Sequence, residues 1–172
     1  MKRSLRQVPI AALLGGMAIL LISCQQAPVD YDRVSVIRVV DGDSFQIDTG
    51  EEVRMIGIDC PEMTDSDKFY RQAEGLHMDA RKLREIAQKA AAFSSSLLYG
   101  KEVRLEFDAE RHDKYDRLLA YVYLPDGAMV NELIMRRGYA TLLFIPPNLK
   151  YRERLQEALE EAELNDQGLW GP

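Results

Sequence analysis

Three short stretches of this chain put carboxylates and arginines beside apolar, strand-like runs. Asp41-Gly42-Asp43-Ser44 sits where one such run hands over to the next. Val53-Arg54-Met55-Ile56-Gly57-Ile58-Asp59-Cys60-Pro61-Glu62 starts as a strand and ends in a proline-stiffened corner. Asp113-Lys114-Tyr115-Asp116-Arg117 precedes another apolar run. If Asp43, Asp59 and Glu62 meet, their charges repel and raise at least one pKa, a conflict that a divalent cation removes. Oxygen donors without imidazole or thiolate favour Ca²⁺ or Mg²⁺ over zinc. His77 and His112 lack ligand spacing, and the chain has no CxxC. An arginine's planar fork matches two oxygens of a phosphate, which lysine cannot do. Each stretch alone also has an ordinary reading. Asp-Gly is a standard turn pair, Arg54 and Arg117 fit exposed strand positions, and an acid after proline suits a helix N-terminus.

The chemistry requires a particular backbone. Arg54 and Asp59 are separated by an odd number of residues, so one straight strand would point them to opposite faces. The chain must bend or bulge between them, and Gly57 is the expected place.

The surrounding elements follow from periodicity. Residues 33–40, 44–48 and 52–58 read as three strands with tight turns, a meander. Residues 67–96 read as helix, with Phe69, Ala73, Leu76, Ala80, Leu83, Ala87 and Ala90 forming one apolar stripe that Gly75 interrupts. Tyr99-Gly100 ends it. Residues 102–108 and 117–124 are strands, Val130 to Arg137 a short helix, and 139–144 an extended segment. Tyr151, Leu155, Ala158, Leu159 and Ala162 share one face of a last helix. Five main strands interrupted by helices predict an α+β domain, a small closed β-barrel with helices packed outside.

The three motifs, in this order and with compatible gaps, resemble the signature segments of the staphylococcal nuclease (thermonuclease) family: DGDT, VRL-x-GIDxPE and DxYGR before an apolar strand. The resemblance covers about residues 33–171, including the late PPN and the closing GLWG. It implies an OB-fold five-stranded β-barrel with packed α-helices and a nuclease that cuts DNA and RNA with Ca²⁺, leaving a 3′-phosphate and a 5′-hydroxyl. Carried over by matched position, Asp43 and Asp59 are carboxylate ligands of Ca²⁺, and Cys60 adds its backbone carbonyl. Asp41 stands behind these ligands. Glu62 orients or deprotonates the attacking water, Arg54 and Arg117 bind the scissile phosphate, and Tyr115 and Lys114 contact the nucleic acid. Three protein ligands leave room for water and a substrate oxygen, so binding should be weak, about 10⁻⁴–10⁻³ M. The chain departs from the pattern at Ser44 for Thr, at Cys60 where Ala or Thr is usual, and at Asp116 for Gly, whose charge lies next to Arg117. Its helical stretch before Val103 is also longer than in a minimal member.

The N-terminus reads as an address. Lys2, Arg3 and Arg6 precede an almost wholly apolar run over residues 8–22, short for a span of about 20 residues. It ends Leu21-Ile22-Ser23-Cys24, which resembles a bacterial lipobox with Cys24 as the lipidated residue. The expected organisation is a signal peptide over 1–23, a lipidated Cys24 and tether over 24–32, and the nuclease-like domain over 33–172. The protein is then exported and anchored to the cell envelope through lipid. Gln25 and Gln26, in place of Asp, resemble outer-membrane sorting if the source is Gram-negative. Cys60 is expected to be a free thiol, because two cysteines make no disulfide framework.

At 47% hydrophobic residues in 172, the chain suits one globular domain with a real core. Its net charge of −6 falls to −9 without residues 1–23, whose charges are three cations and no acid. That surface repels nucleic acid at long range. It argues against a tight non-specific DNA binder, but leaves room for an enzyme with a local cationic site. The competing readings are a non-catalytic OB-type binding module and a surface lipoprotein whose acidic face binds a protein. No protein partner is inferred, and a monomer is expected. The lysines and arginines Arg81, Lys82, Arg84 and Lys89 read as a solvated helix face.

Overall fold

A computed structural model describes residues 29–171. The signal segment and Cys24 lie outside the described residues. Five strands close a barrel: β1 (Val34–Val39), β2 (Ser44–Ile47), β3 (Glu52–Met55), β5 (Glu102–Glu106) and β6 (Leu118–Tyr123), in the order β1-β2-β3-β6-β5. All neighbours are antiparallel except β3 and β6. Alternation explains β5, whose Val103 and Leu105 point inward while Glu102 is exposed. β6 is buried along almost its whole length, as expected of a strand covered on both faces. Phe45, Ile47, Val53, Leu118 and Val122 fill the interior.

The stretch expected to form one strand over 52–58 is two strands. β3 stops at Met55, and β4 (Gly57–Asp59) leaves the barrel to pair with β7 (Thr141–Leu143) in a separate two-stranded sheet. Gly57 makes the corner, with φ of +83°. A Cβ there would lie 2.5 Å from Leu155 Cδ1 and 2.8 Å from Phe144 Cε1. Glycine is therefore required twice, by conformation and by space. The buried Asn131 of α3 (Val130–Arg136) fixes the same corner. Its amide donates to Ile56 O at 2.9 Å, and its Oδ1 accepts from Val122 N at 2.9 Å.

The long helical stretch also divides, into α1 (Asp67–Gly75) and α2 (Ala80–Leu98). Ser66 caps α1 by accepting from Phe69 N, and Asp79 caps α2 by accepting from Arg81 N. The break is more than one interrupting glycine: His77 sits at φ of +51° between the helices. The expected apolar stripe is the packing face, with Phe69, Leu83, Ala87 and Ala90 buried. α2 lies against the β1–β2 turn. Ser94 Oγ donates to Gly42 O at 2.6 Å, and a Cβ on Gly42 would lie 2.6 Å from Cys60 Sγ. α4 (Arg152–Leu164) packs against α3 outside the barrel.

Tyr31, expected in the tether, packs edge-on against Phe107 and donates to Glu51, so contacts with the barrel begin before residue 33. Cys60 is a buried free thiol. No helix among the described residues is long and apolar enough to cross a membrane.

Gly57→Ala should lower stability by about 2 kcal/mol or more, from left-handed backbone strain and the clash with Leu155. A denaturation midpoint equal to the parent's would contradict this account of the corner.

Candidate active site

The first motif forms the turn between β1 and β2. Asp43 N donates to Asp41 Oδ1 at 3.0 Å, a local turn typical of aspartate, and the Asp43 side chain points inward, 4% exposed. Ser44 pairs with Arg54 across β2 and β3, which sets Asp43 next to the guanidinium. Asp43 Oδ1 lies 3.1 Å from Arg54 Nη1 and accepts from Ser44 Oγ at 3.1 Å. Its Oδ2 accepts from Cys60 N at 2.6 Å. Burial pushes the Asp43 carboxyl up; Arg54 pulls it back, Asp41 pushes it up again, the Cys60 N–H lowers it and Asp59 raises it.

Arg54 is 8% exposed and turned inward. It donates to Met55 O at 3.0 Å and Ile58 O at 2.8 Å, on either side of the Gly57 corner, and to Asp59 Oδ1 at 2.9 Å. The bend expected between Arg54 and Asp59 thus brings the two into contact. Burial works against the Arg54 charge, but Asp43 and Asp59 outweigh it and raise its pKa.

Two residues that the sequence motifs did not flag come from α1. Lys68 Nζ lies 3.0 Å from Asp59 Oδ1 and 2.6 Å from Glu62 Oε1. Gln72 Nε2 donates to Asp59 Oδ2 at 2.9 Å and Cys60 O at 3.2 Å, while its Oε1 accepts from Glu62 N at 3.1 Å. The available signal was their spacing. Lys68 and Gln72 are one helical turn apart, on a different face from Phe69 and Ala73. Burial lowers the Lys68 pKa, but the hydrogen bond to Glu62 and the charge of Asp59 raise it further.

The third motif is a turn built on Asp113. Its Oδ1 accepts from Tyr115 N and Arg117 N, and its Oδ2 accepts from Arg117 Nε at 2.8 Å. Burial works against the Asp113 charge, but these bonds lower its pKa. Arg117 is so held at the edge of β6, with Glu52 at 3.8 Å. Asp116 adopts φ of +66°, the left-handed conformation expected where glycine is usual. It forms no ion pair among the described residues; the carboxylates that meet Arg117 are Asp113, at 2.7 Å, and more distantly Glu52. Tyr115 is 69% exposed, with Lys114 Nζ 4.9 Å from its ring centre.

A cleft of about 440 Å³ is lined by Asp41, Asp43, Arg54, Glu62, Lys68, Tyr115 and Arg117. A second cleft of about 560 Å³ shares Arg54, Lys68, Tyr115 and Arg117 with it and adds Asp59, Lys114, Leu143 and Ile145. Every residue expected from the motifs except Cys60 lines one of the two. Cys60 is buried, and its carbonyl accepts from Gln72 Nε2 at 3.2 Å.

Residues 52–172 match the family model of staphylococcal nuclease homologues. The chain belongs to the staphylococcal nuclease family. It is 33% identical over 138 residues to the thermonuclease of Staphylococcus hyicus, covering 78% of this chain and 73% of that protein. It is 36% identical over 138 residues to the thermonuclease of Staphylococcus intermedius, covering 78% and 74%. The SPbeta prophage-derived endonuclease YokF of Bacillus subtilis is 30% identical over 142 residues, covering 80% of this chain and 43% of that protein.

A staphylococcal nuclease fold with these residues fits a hard cation, by the chemistry of its donors. Among the described residues, no group of three or more His, Cys, Asp or Glu side chains is placed to hold a metal. The oxygens of Asp43 and Asp59 and the carbonyl of Cys60 are a smaller set. All are engaged, yet each retains lone-pair capacity beyond its present partners. Two carboxylates and a carbonyl make a sparse oxygen site that water and substrate would complete.

Replacing Arg54 with methionine leaves the buried Asp43 without its cation and takes one of two cations from the half-buried Asp59. Urea denaturation should show a loss of about 3–5 kcal/mol. A loss under about 1 kcal/mol, the range of exposed ion pairs, would mean that the guanidinium does not hold this site together.

Proposed function

We propose that this protein is a calcium-dependent nuclease that hydrolyses phosphodiester bonds of DNA and RNA, releasing 3′-phosphate and 5′-hydroxyl ends. The reading is carried by one observation: Asp43, Arg54, Glu62 and Arg117 line the same cleft of about 440 Å³. The thermonuclease relatives and the prophage endonuclease support nuclease chemistry for this chain.

In this reading Glu62 takes a proton from the attacking water. Its side chain is partly exposed and faces the cleft, so water and substrate reach it. Arg117, held by Asp113 and facing the same cleft, grips two phosphate oxygens and stabilises charge that builds on them. Arg54 lines the cleft floor, where in this reading it binds the scissile phosphate with Arg117, and it holds Asp43 and Asp59 side by side. Tyr115 offers an exposed ring to a base or sugar, and Lys114 adds a cation next to it. Calcium held by Asp43, Asp59 and the Cys60 carbonyl would supply the positive charge that draws a phosphate into an acidic protein. Asp41 supports the set by accepting the Asp43 N–H.

We also propose that residues 1–23 are removed as a signal peptide and that Cys24 carries the lipid that anchors the protein to the cell envelope. A non-catalytic OB-type module has no need for Glu62 or Arg117 to face a common cleft.

An activity gel run with and without a calcium chelator tests the main reading, and cutting should vanish with the chelator. Glu62→Gln should lower kcat by about 10²–10⁴-fold; cleavage at the parental rate would remove Glu62 from its role. Arg117→Lys should lower kcat/KM at least tenfold, about 1.4 kcal/mol, because a point charge cannot bridge two oxygens. An unchanged kcat/KM would refute bidentate binding.

A further inference from the structure

We propose that Lys68 is a positioning residue that competes with the divalent cation: its ammonium bridges Asp59 and Glu62, and a cation must displace it from Asp59 to bind. This rests on the reading of Asp59 as a metal ligand and Glu62 as the proton acceptor. The geometry is specific. Nζ is 3.0 Å from Asp59 Oδ1 and 2.6 Å from Glu62 Oε1, so one ammonium serves two carboxylates that belong to separate roles. The Asp59 side chain is 13% exposed, and Glu62 is 28% exposed. Their charges are therefore only partly screened by water.

Lys68 is suited to leave as well as to arrive. Its side chain is 44% exposed, and its four-carbon stem is flexible. It is delivered by the first turn of α1, whose neighbouring Phe69 is fully buried, so its backbone is fixed while its head group is not. Gln72, one turn on, holds Asp59 Oδ2 and the Cys60 carbonyl through an uncharged amide. Arg54 is buried and grips two backbone carbonyls besides its carboxylates, so it cannot withdraw in the same way. Of these three side chains that donate to Asp59, Lys68 is the charged one able to move. It also lines the cleft. Released from Asp59, it stays within reach of Glu62 and of a phosphate entering there. The consequence is a calcium affinity set by exchange of one cation for another. Without metal, the carboxylates stay neutralised and ordered by Lys68; with metal, Asp59 exchanges the ammonium for the ion.

Calorimetric titration of calcium chloride into the full chain tests this with a readout independent of activity. Lys68→Met should bind calcium about tenfold more tightly than the parent, and Lys68→Arg, which keeps the charge, should stay weak. The calcium-induced rise in Tm should be larger in Lys68→Met, because its metal-free form has lost a neutralising charge. Asp43→Asn serves as the control that should abolish binding. If the parent binds calcium, Asp43→Asn does not, and Lys68→Met binds no tighter than the parent, the inference about Lys68 falls while the metal assignment stands. It falls equally if Lys68→Arg tightens as much as Lys68→Met, since charge would not be the cause. If neither parent nor Lys68→Met binds calcium up to about 10 mM, well above the range of weak oxygen sites, both readings fall.

Discussion

A buried guanidinium between two carboxylates organises this molecule. Arg54 touches Asp43 from the β1–β2 turn and Asp59 from β4, and it donates to the carbonyls of Met55 and Ile58 around the corner between β3 and β4. A charge this deeply placed is tolerable only when its donors are filled. The requirement runs the other way too. Asp43 sits at 4% exposure with Asp41 and Asp59 nearby, and without Arg54 its buried charge would have no cation against it.

The parts outside the barrel exist in large measure to hold that arrangement. Asn131 of α3 fills the backbone groups that the corner frees, at Ile56 O and Val122 N. Ser94 of α2 ties the Asp41–Asp43 turn through Gly42 O, and Cys60 Sγ leaves no room for a side chain on Gly42. α1 supplies Lys68 and Gln72 to the far side of Asp59. Asp113 converts a surface loop into a rigid mount for Arg117 through backbone and side-chain bonds together. Rigid support of this kind lets a few polar groups hold fixed positions around a wet cleft.

The charge pattern gives the cleft its character. Residues 24–172 carry a net charge of −9, yet Arg54, Lys68 and Arg117 face a common cleft lined also by acids. Long-range attraction for a polyanion is absent, and recognition falls to local contacts whose strength depends on screening. An oxygen-rich site would suit such a surface if it took up a cation, because the bound ion would change the sign of the field beside Arg54 and Arg117.

The sequence by itself determined the strands of the barrel, the family motifs and the need for a bend near Gly57. These are set by local rules: alternation for β5, a helical stripe through Phe69 and Ala90, Asp-Gly turn chemistry, and an odd spacing between Arg54 and Asp59 that a straight strand cannot satisfy. Only the tertiary structure decided that residues 52–59 split between the barrel and a second sheet, because β7, distant in sequence, provides the partner for β4. It alone decided that Lys68 and Gln72 face Asp59, and that Asp113, not Asp116, meets Arg117. Periodicity marks which residues are apolar and how the chain turns. It carries no information on which surface polar groups meet across a gap in sequence, since that depends on how separate elements pack.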